Sequence, residues 1–330
     1  MEYKGKFDIF DFSRIETYPI ATRPNKFKAK DMIRLDEVLA ADLKFDSPEL
    51  RAVAKAVLEA RAGGKPVIWM MGAHPVKLGL SPIVIDLIER GLVTLVACNC
   101  AATIHDFELA LMAETSESVP NALPAGKFGM AYETGKYMND ALAHGNSLAV
   151  GFGESLARMI LGEAFPYQVE FPHQGLSFVA RGYQKGVPVT VHATMGTDII
   201  DQHSNFDGRA KGGCSGRDFG IYCAEVEKMT EGGVVLNVGS AVTGPEVLLK
   251  TVSMVSNVGA PCHGIITGDF DMRPADFDEA RDETKPTYYF RDIKSVVTRI
   301  PEAFGGQGYY VRGLLEETVP SLYRLLVRHR

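Results

Sequence analysis

Lys65-Pro66-Val67-Ile68-Trp69-Met70-Met71-Gly72-Ala73-His74 is the stretch on which the fold turns. Its unbroken apolar run, Pro66 to Met71, lies between Gly64 and Gly72 and is too short for a helix. It reads as a strand buried on both faces, the signature of a parallel sheet. Upstream, Ser47-Pro48-Glu49 caps an amphipathic helix that Gly63-Gly64 ends. Downstream, Ser81-Pro82 caps a helix through Glu89, Gly91 closes it, and Val93 to Ala97 forms a second apolar strand. That is a strand–helix–strand unit.

The alternation returns beyond a less readable middle region, Glu114 to Gln174. A helix is expected around Gly175 to Gln184 and a strand at Val187 to Val191. The glycine-rich stretch Gly208 to Gly216 reads as a loop before a helix near Asp218 to Met229, followed by the strand Val234 to Val238. A further strand near His263 to Thr267 is expected to end in Gly268-Asp269-Phe270-Asp271, and the last at Gly308 to Val311. Leu314 to Val327 closes the chain as a helix in which Pro320 demands a kink or a late start. Strands alternating with helices define an α/β class, a Rossmann-like parallel sheet flanked by helices. Residues 1–46 read as an N-terminal extension and 47–330 as a single domain.

The 330 residues are 46% hydrophobic and 23% charged, enough to bury a large core. A net charge of −6 argues against nucleic acid as a partner. Five cysteines at irregular positions, Cys98, Cys100, Cys214, Cys223 and Cys262, do not form a disulfide framework. The first residues lack a signal-peptide stretch, and no apolar run nears the ~18 residues of a membrane span, so a cytoplasmic location and no membrane partner are expected.

In such sheets a ligand lies beyond the carboxyl ends of the strands. The unusual residues gather there: His74, Asn99, Asp106, His192, Asp198, Gly239 and Asp269. Neither the Gly-x-Gly-x-x-Gly fingerprint nor the phosphate-binding loop is present. Backbone amides at Gly72, Ala73, Ala101, Ala102, Gly239 and Ser240 are nevertheless placed to approach a cofactor, with Asn99, Asp106 and Asp269 beside them. His74 and His105 suit proton transfer, and Asp198 suits a substrate ammonium. Lys285, ahead of Tyr288-Tyr289-Phe290, and Lys294 raise the question of a lysine nucleophile, and Lys285 is the candidate. A different reading, a metal-assisted hydrolase, would draw on His74, His105, Asp106 and His192. A third is a ligand-binding protein without catalysis.

The order of segments resembles the deoxyhypusine synthase family. Val67-Ile68-Trp69-Met70-Met71-Gly72, Gly79-Leu80-Ser81 and Ile85 to Val93 are similar to that family's first strand–helix–strand unit. Asn99-Cys100-Ala101-Ala102 falls where the family has an NAD-holding loop. Val179 to Val189 looks like the helix and strand before its substrate-side aspartate, a role that would fall on Asp198. Asp269-Phe270-Asp271 and Gly308-Tyr309-Tyr310-Val311 resemble later segments. The resemblance implies an NAD-binding scaffold, a homotetramer with sites at subunit interfaces, and transfer of an aminobutyl group from a polyamine, spermidine, to a lysine.

Overall fold

Hydrophobic residues at every position of β2 (Val67–Met71) force it to the centre of a sheet, and in the computed structural model, which describes residues 3–163, 165 and 167–328, all five are buried. On either side lie β3 (Leu95–Cys98), β5 (Val189–Val191), β6 (Val234–Val238), β7 (Ile266–Asp271) and β8 (Gln307–Arg312). The order β5-β3-β2-β6-β7-β8 is parallel throughout. Counted as the six strands occur in sequence, this is the doubly wound order 3-2-1-4-5-6, and it reverses between β2 and β6.

Each face of the sheet carries its own core. Val67, Trp69 and Met71 pack with α1 (Pro48–Ala62), α2 (Ser81–Glu89) and the closing helix Leu315–Arg328. Ile68 and Met70 turn to the opposite face, against Tyr222 and Val226 of the helix Gly208–Glu227 and Leu248 and Val252 of the helix Thr243–Asn257. α1 begins as its sequence predicts, with Ser47 Oγ accepting from Leu50 N at 3.1 Å and Pro48 in the first turn. Gly64, at φ +68°, follows its end.

The long connection from β3 to β5 holds α3 (Cys100–Met112), α4 (Tyr132–Ser147), α5 (Phe152–Ile160) and α6 (Phe178–Gln184). It also carries β4 (Glu114–Glu117), which pairs antiparallel with β1 (Asn25–Lys28). The N-terminal segment therefore lies across this connection. Tyr18 bridges to Ala131, and Ile20 N donates to Glu133 Oε2 at 2.7 Å. Among the described residues no helix is long and apolar enough to cross a membrane.

Several expected boundaries move. The loop foreseen at Gly208 to Gly216 is the start of a 20-residue helix, α7 (Gly208–Glu227). Its glycines answer to packing: a Cβ on Gly213 would stand 2.4 Å from Asn146 Oδ1 of α4. The stretch after Cys98 is likewise helical from Cys100. Gly268-Asp269-Phe270-Asp271 is the body of β7 and not its exit, with Asp269 opposite Tyr310 and Asp271 opposite Arg312. The helix foreseen from Gly175 starts at Phe178, where Ser177 Oγ caps Ala180 N at 3.0 Å. The final helix accommodates Pro320 in its second turn, held by the burial of Val319 and Leu322.

Asp218 of α7 joins two elements of the fold. Its Oδ2 accepts from Val191 N of β5 at 2.7 Å and from Gly153 N of α5 at 3.0 Å. Burial nonetheless pushes this carboxyl up to about 7 from 3.8. A raised acid keeps its proton in the fold after the unfolded chain has lost it, so stability falls as pH rises from about 4 to about 7 and is level above. Urea unfolding should show that decline, on the order of a few kcal/mol. Asp218→Asn, which keeps the accepting oxygen, should remove its share of the decline, the rest staying with Asp106, whose carboxyl burial also pushes up to about 7; an unchanged slope would place the proton elsewhere.

Candidate functional site

A cavity of about 240 Å³ opens beyond the carboxyl ends of β3 and β5. Its wall combines Ala101, Ile104 and His105 of α3, Asp198 from the loop after β5, Lys77 from the turn after β2, Glu117 of β4 and Arg23 from the N-terminal segment. Elements far apart in sequence thus converge at the edge where a parallel sheet presents its ligands.

His105 has a defined tautomer. Its Nδ1 lies 2.7 Å from Thr115 Oγ1, and that hydroxyl gives its single proton to Glu108 Oε2 at 2.6 Å. Nδ1 must therefore donate, which leaves Nε2 as the acceptor of the ring. Burial, aided by the nearby Lys77 and Arg23 cations and only partly opposed by Glu108, pushes the His105 pKa down to about 4. The imidazole is neutral at physiological pH. Glu108 is itself buried and fully engaged, accepting also from Thr134 Oγ1 at 2.8 Å and Arg23 Nη2 at 2.7 Å.

Behind Asp198 stands a buried ion cluster. Lys211 Nζ donates to Asp198 Oδ2 at 2.7 Å, Asp201 Oδ1 at 2.6 Å and Thr194 O at 2.9 Å. Burial opposes the charge of Lys211, but Cys100 and the two carboxylates outweigh it and raise its pKa. Burial also pushes the Asp198 carboxyl upward, against the pull of Lys211.

The structure brings three predicted residues, Ala101, His105 and Asp198, to this cavity. Asn99 caps α3, accepting from Ala102 N at 3.0 Å, and Ala102 is fully buried. Asp106, expected in a cofactor loop, is instead on α3 and wholly buried; it accepts from Ser177 Oγ and, at 2.8 Å, from Phe178 N, and so holds the start of α6. Gly72 and Gly239 meet each other: a Cβ on Gly72 would lie 2.5 Å from the Gly239 carbonyl oxygen, and Gly239 faces Leu315. Their lack of a side chain serves loop contact at the point where strand order reverses. Ala73 is half-buried beside them and Ser240 Oγ accepts from Gly244 N at 3.0 Å.

His74 is exposed at the start of the turn His74–Lys77. His192 is buried against Tyr222, with Nε2 3.2 Å from Thr190 Oγ1. Among the described residues no group of three or more His, Cys, Asp or Glu side chains comes together as a metal-holding set, so the histidines of the hydrolase reading do not form one. Asp269 is buried in β7; Oδ1 accepts from Asn237 Nδ2 at 2.7 Å, while Oδ2 has no donor. Lys285 is exposed and outside the cavity. Lys294 is buried in a π-helical stretch, Asp292–Arg299, with Nζ 3.6 Å from the centre of the Tyr288 ring, and burial lowers its pKa.

Sequence reasoning missed Arg23, Lys77, Glu108, Thr115, Glu117 and Lys211. Lys211 was concealed by its glycine-rich surroundings, Gly208 to Gly216. Helical spacing through that stretch would have placed it on the same face as Cys214 and Asp218.

No family model matches the sequence, and no curated protein does. Among solved structures the chain is similar to ArgZ, an arginine dihydrolase from the ornithine–ammonia cycle in cyanobacteria, at 13% identity and TM-score 0.50 over 87% of this chain and 34% of that one. It is similar to AgrE in its ternary complex with ornithine and NAD+, at 13% identity and TM-score 0.50 over 85% and 33%. A proposed deoxyhypusine synthase from Entamoeba histolytica aligns at 7% identity and TM-score 0.48 over 94% and 96%. The chain spans about a third of the length of the first two, and these likenesses establish the Rossmann-like fold alone.

Removing Lys211 would leave Asp198 and Asp201 buried without a cation. Lys211→Met should destabilise the protein by about 3–5 kcal/mol in urea unfolding, and adding Asp198→Asn and Asp201→Asn should recover part of the loss. A neutral single substitution would show that the cluster is solvated.

Proposed function

We propose that the protein is a nicotinamide-dependent enzyme that oxidises a small amine to an imine in the His105 cavity. The observation that carries this reading is the neutral His105, fixed by Thr115 and Glu108 with an accepting Nε2 on the cavity wall. The complex of AgrE with ornithine and NAD+, on a similar fold, is consistent with it.

Two features of the carboxyl edge support a nucleotide there. The start of α3 offers a helix N-terminus whose second residue, Ala101, lines the cavity. Beneath the β6 and β7 ends, Asn237 Oδ1 and Asp269 Oδ2 are buried polar atoms without partners, and burial pushes the Asp269 carboxyl well up, so a ribose hydroxyl or a carboxamide, which can both donate and accept, would satisfy them. Gly72, Ala73, Asn99, Ala101, Ala102, Gly239, Ser240 and Asp269 would border such a cofactor. When bound, the nicotinamide would supply the acceptor of a hydride.

His105 Nε2, neutral and accepting, takes a hydrogen bond from the free-amine form of the substrate, whose adjacent C–H bond yields the hydride, so that the product forms as the protonated imine. The ring keeps its Nδ1 bond to Thr115, and Glu108 behind that hydroxyl holds the tautomer. Asp198, held by Lys211, borders the amine on the cavity wall. Lys285 has no part in this scheme, and the resemblance to an aminobutyl transferase, like its homotetramer, stays an expectation.

Calorimetric titration with NAD+ should show saturable binding, tightened by a small amine. His105→Gln should lower turnover by about 10²–10⁴-fold with NAD+ affinity unchanged. Failure to bind any nicotinamide cofactor would remove the reading.

A further inference from the structure

The charges around the cavity are mostly cancelled by neighbours. Arg23 is paired with Glu108 and Asp198 with Lys211. Two are left. Glu117 has a side chain only 7% exposed; its Oε1 accepts from Gly129 N at 2.9 Å and lies 3.8 Å from Arg23 Nη1, with the Tyr18 phenol beside it. Its Oε2 is buried and has no donor, although the residue lines the cavity. A buried carboxylate oxygen without a partner is costly unless a ligand supplies the proton. Lys77 is its counterpart: exposed at the same cavity and, among the described residues, in no ion pair. Ile104, Val119, Phe128 and Ile199 make the intervening wall apolar.

We infer that the cavity takes a zwitterion, an α-amino acid and not a simple amine, with its ammonium on Glu117 and its carboxylate on Lys77. The inference rests on the amine-oxidising reading and narrows its substrate class. The wall holds one carboxylate oxygen without a donor and one cation in no ion pair among the described residues, joined by apolar surface, and an α-amino acid matches that pattern. A diamine would meet Glu117 with one end and place its second cation against Lys77.

The test uses matched pairs differing only in the carboxylate, L-ornithine against putrescine and L-norvaline against n-butylamine, titrated into the full chain with NAD+ present. Each amino acid should bind about tenfold or more tightly than its amine, the effect of one charge-assisted contact. Lys77→Met, a surface change, should abolish that preference by weakening the amino acids, and should tighten putrescine by removing the cation its second ammonium meets. Glu117→Gln should weaken both members of each pair. Equal or tighter binding of the amines, or a preference that survives Lys77→Met, overturns the inference while the amine reading stands. Binding of NAD+ with neither class of ligand overturns both.

Discussion

The central constraint is that β2 is buried on both faces. A strand with Trp69 on one side and Met70 on the other cannot present chemistry along its length, and the same holds for β3 and β6 beside it. Helices must cover both faces, and polar function is pushed to the ends of the strands. The position of the candidate site follows from the apolar character of the sheet centre. So does the glycine contact where strand order reverses, since two backbones leaving adjacent central strands for opposite layers must pass close together.

At the site itself the organising group is Glu108. It draws together an arginine from the N-terminal segment, a threonine from β4 and another from α4. Removing Thr134 would strip Oε1 of its donor, and removing Arg23 or Thr115 would leave Oε2 with one in place of two, which ties the shape of the cavity wall to the satisfaction of one buried carboxyl. The orientation of His105 is a by-product of that satisfaction: Thr115 can serve Glu108 only by giving up its proton, and the imidazole must then supply another.

The sheet was legible because its strands are short apolar runs bounded by glycine, a pattern with few alternatives. β6 was read with its bounds intact and α1 from its capping residues and stripe; α2 was read from its apolar stripe, but Ser81, expected as its cap, is its first helical residue and its buried hydroxyl caps nothing. What failed was local contrast. Glycine in α7 and polar residues in β7 carry the marks of loops, and only tertiary contacts, Gly213 against Asn146 or Asp269 against Asn237, explain why they sit in regular structure. The site was half legible for a related reason. His105 and Asp198 stand near strand ends, where fold physics directs attention. Arg23, Glu108 and Thr115 matter through pairings across 85 and 7 residues, which no window along the chain displays.

The segment ahead of α1 looks expendable when the chain is divided by periodicity, since it adds no strand to the main sheet. Yet Arg23 forms one wall of the cavity, and β1 steadies the strand that carries Thr115 and Glu117. A protein engineer trimming the chain to its repeating α/β body would keep the scaffold's outline and lose its recognition chemistry. In an evolving lineage, the same segment is where specificity could be redrawn without disturbing a single hydrogen bond of the central ladder.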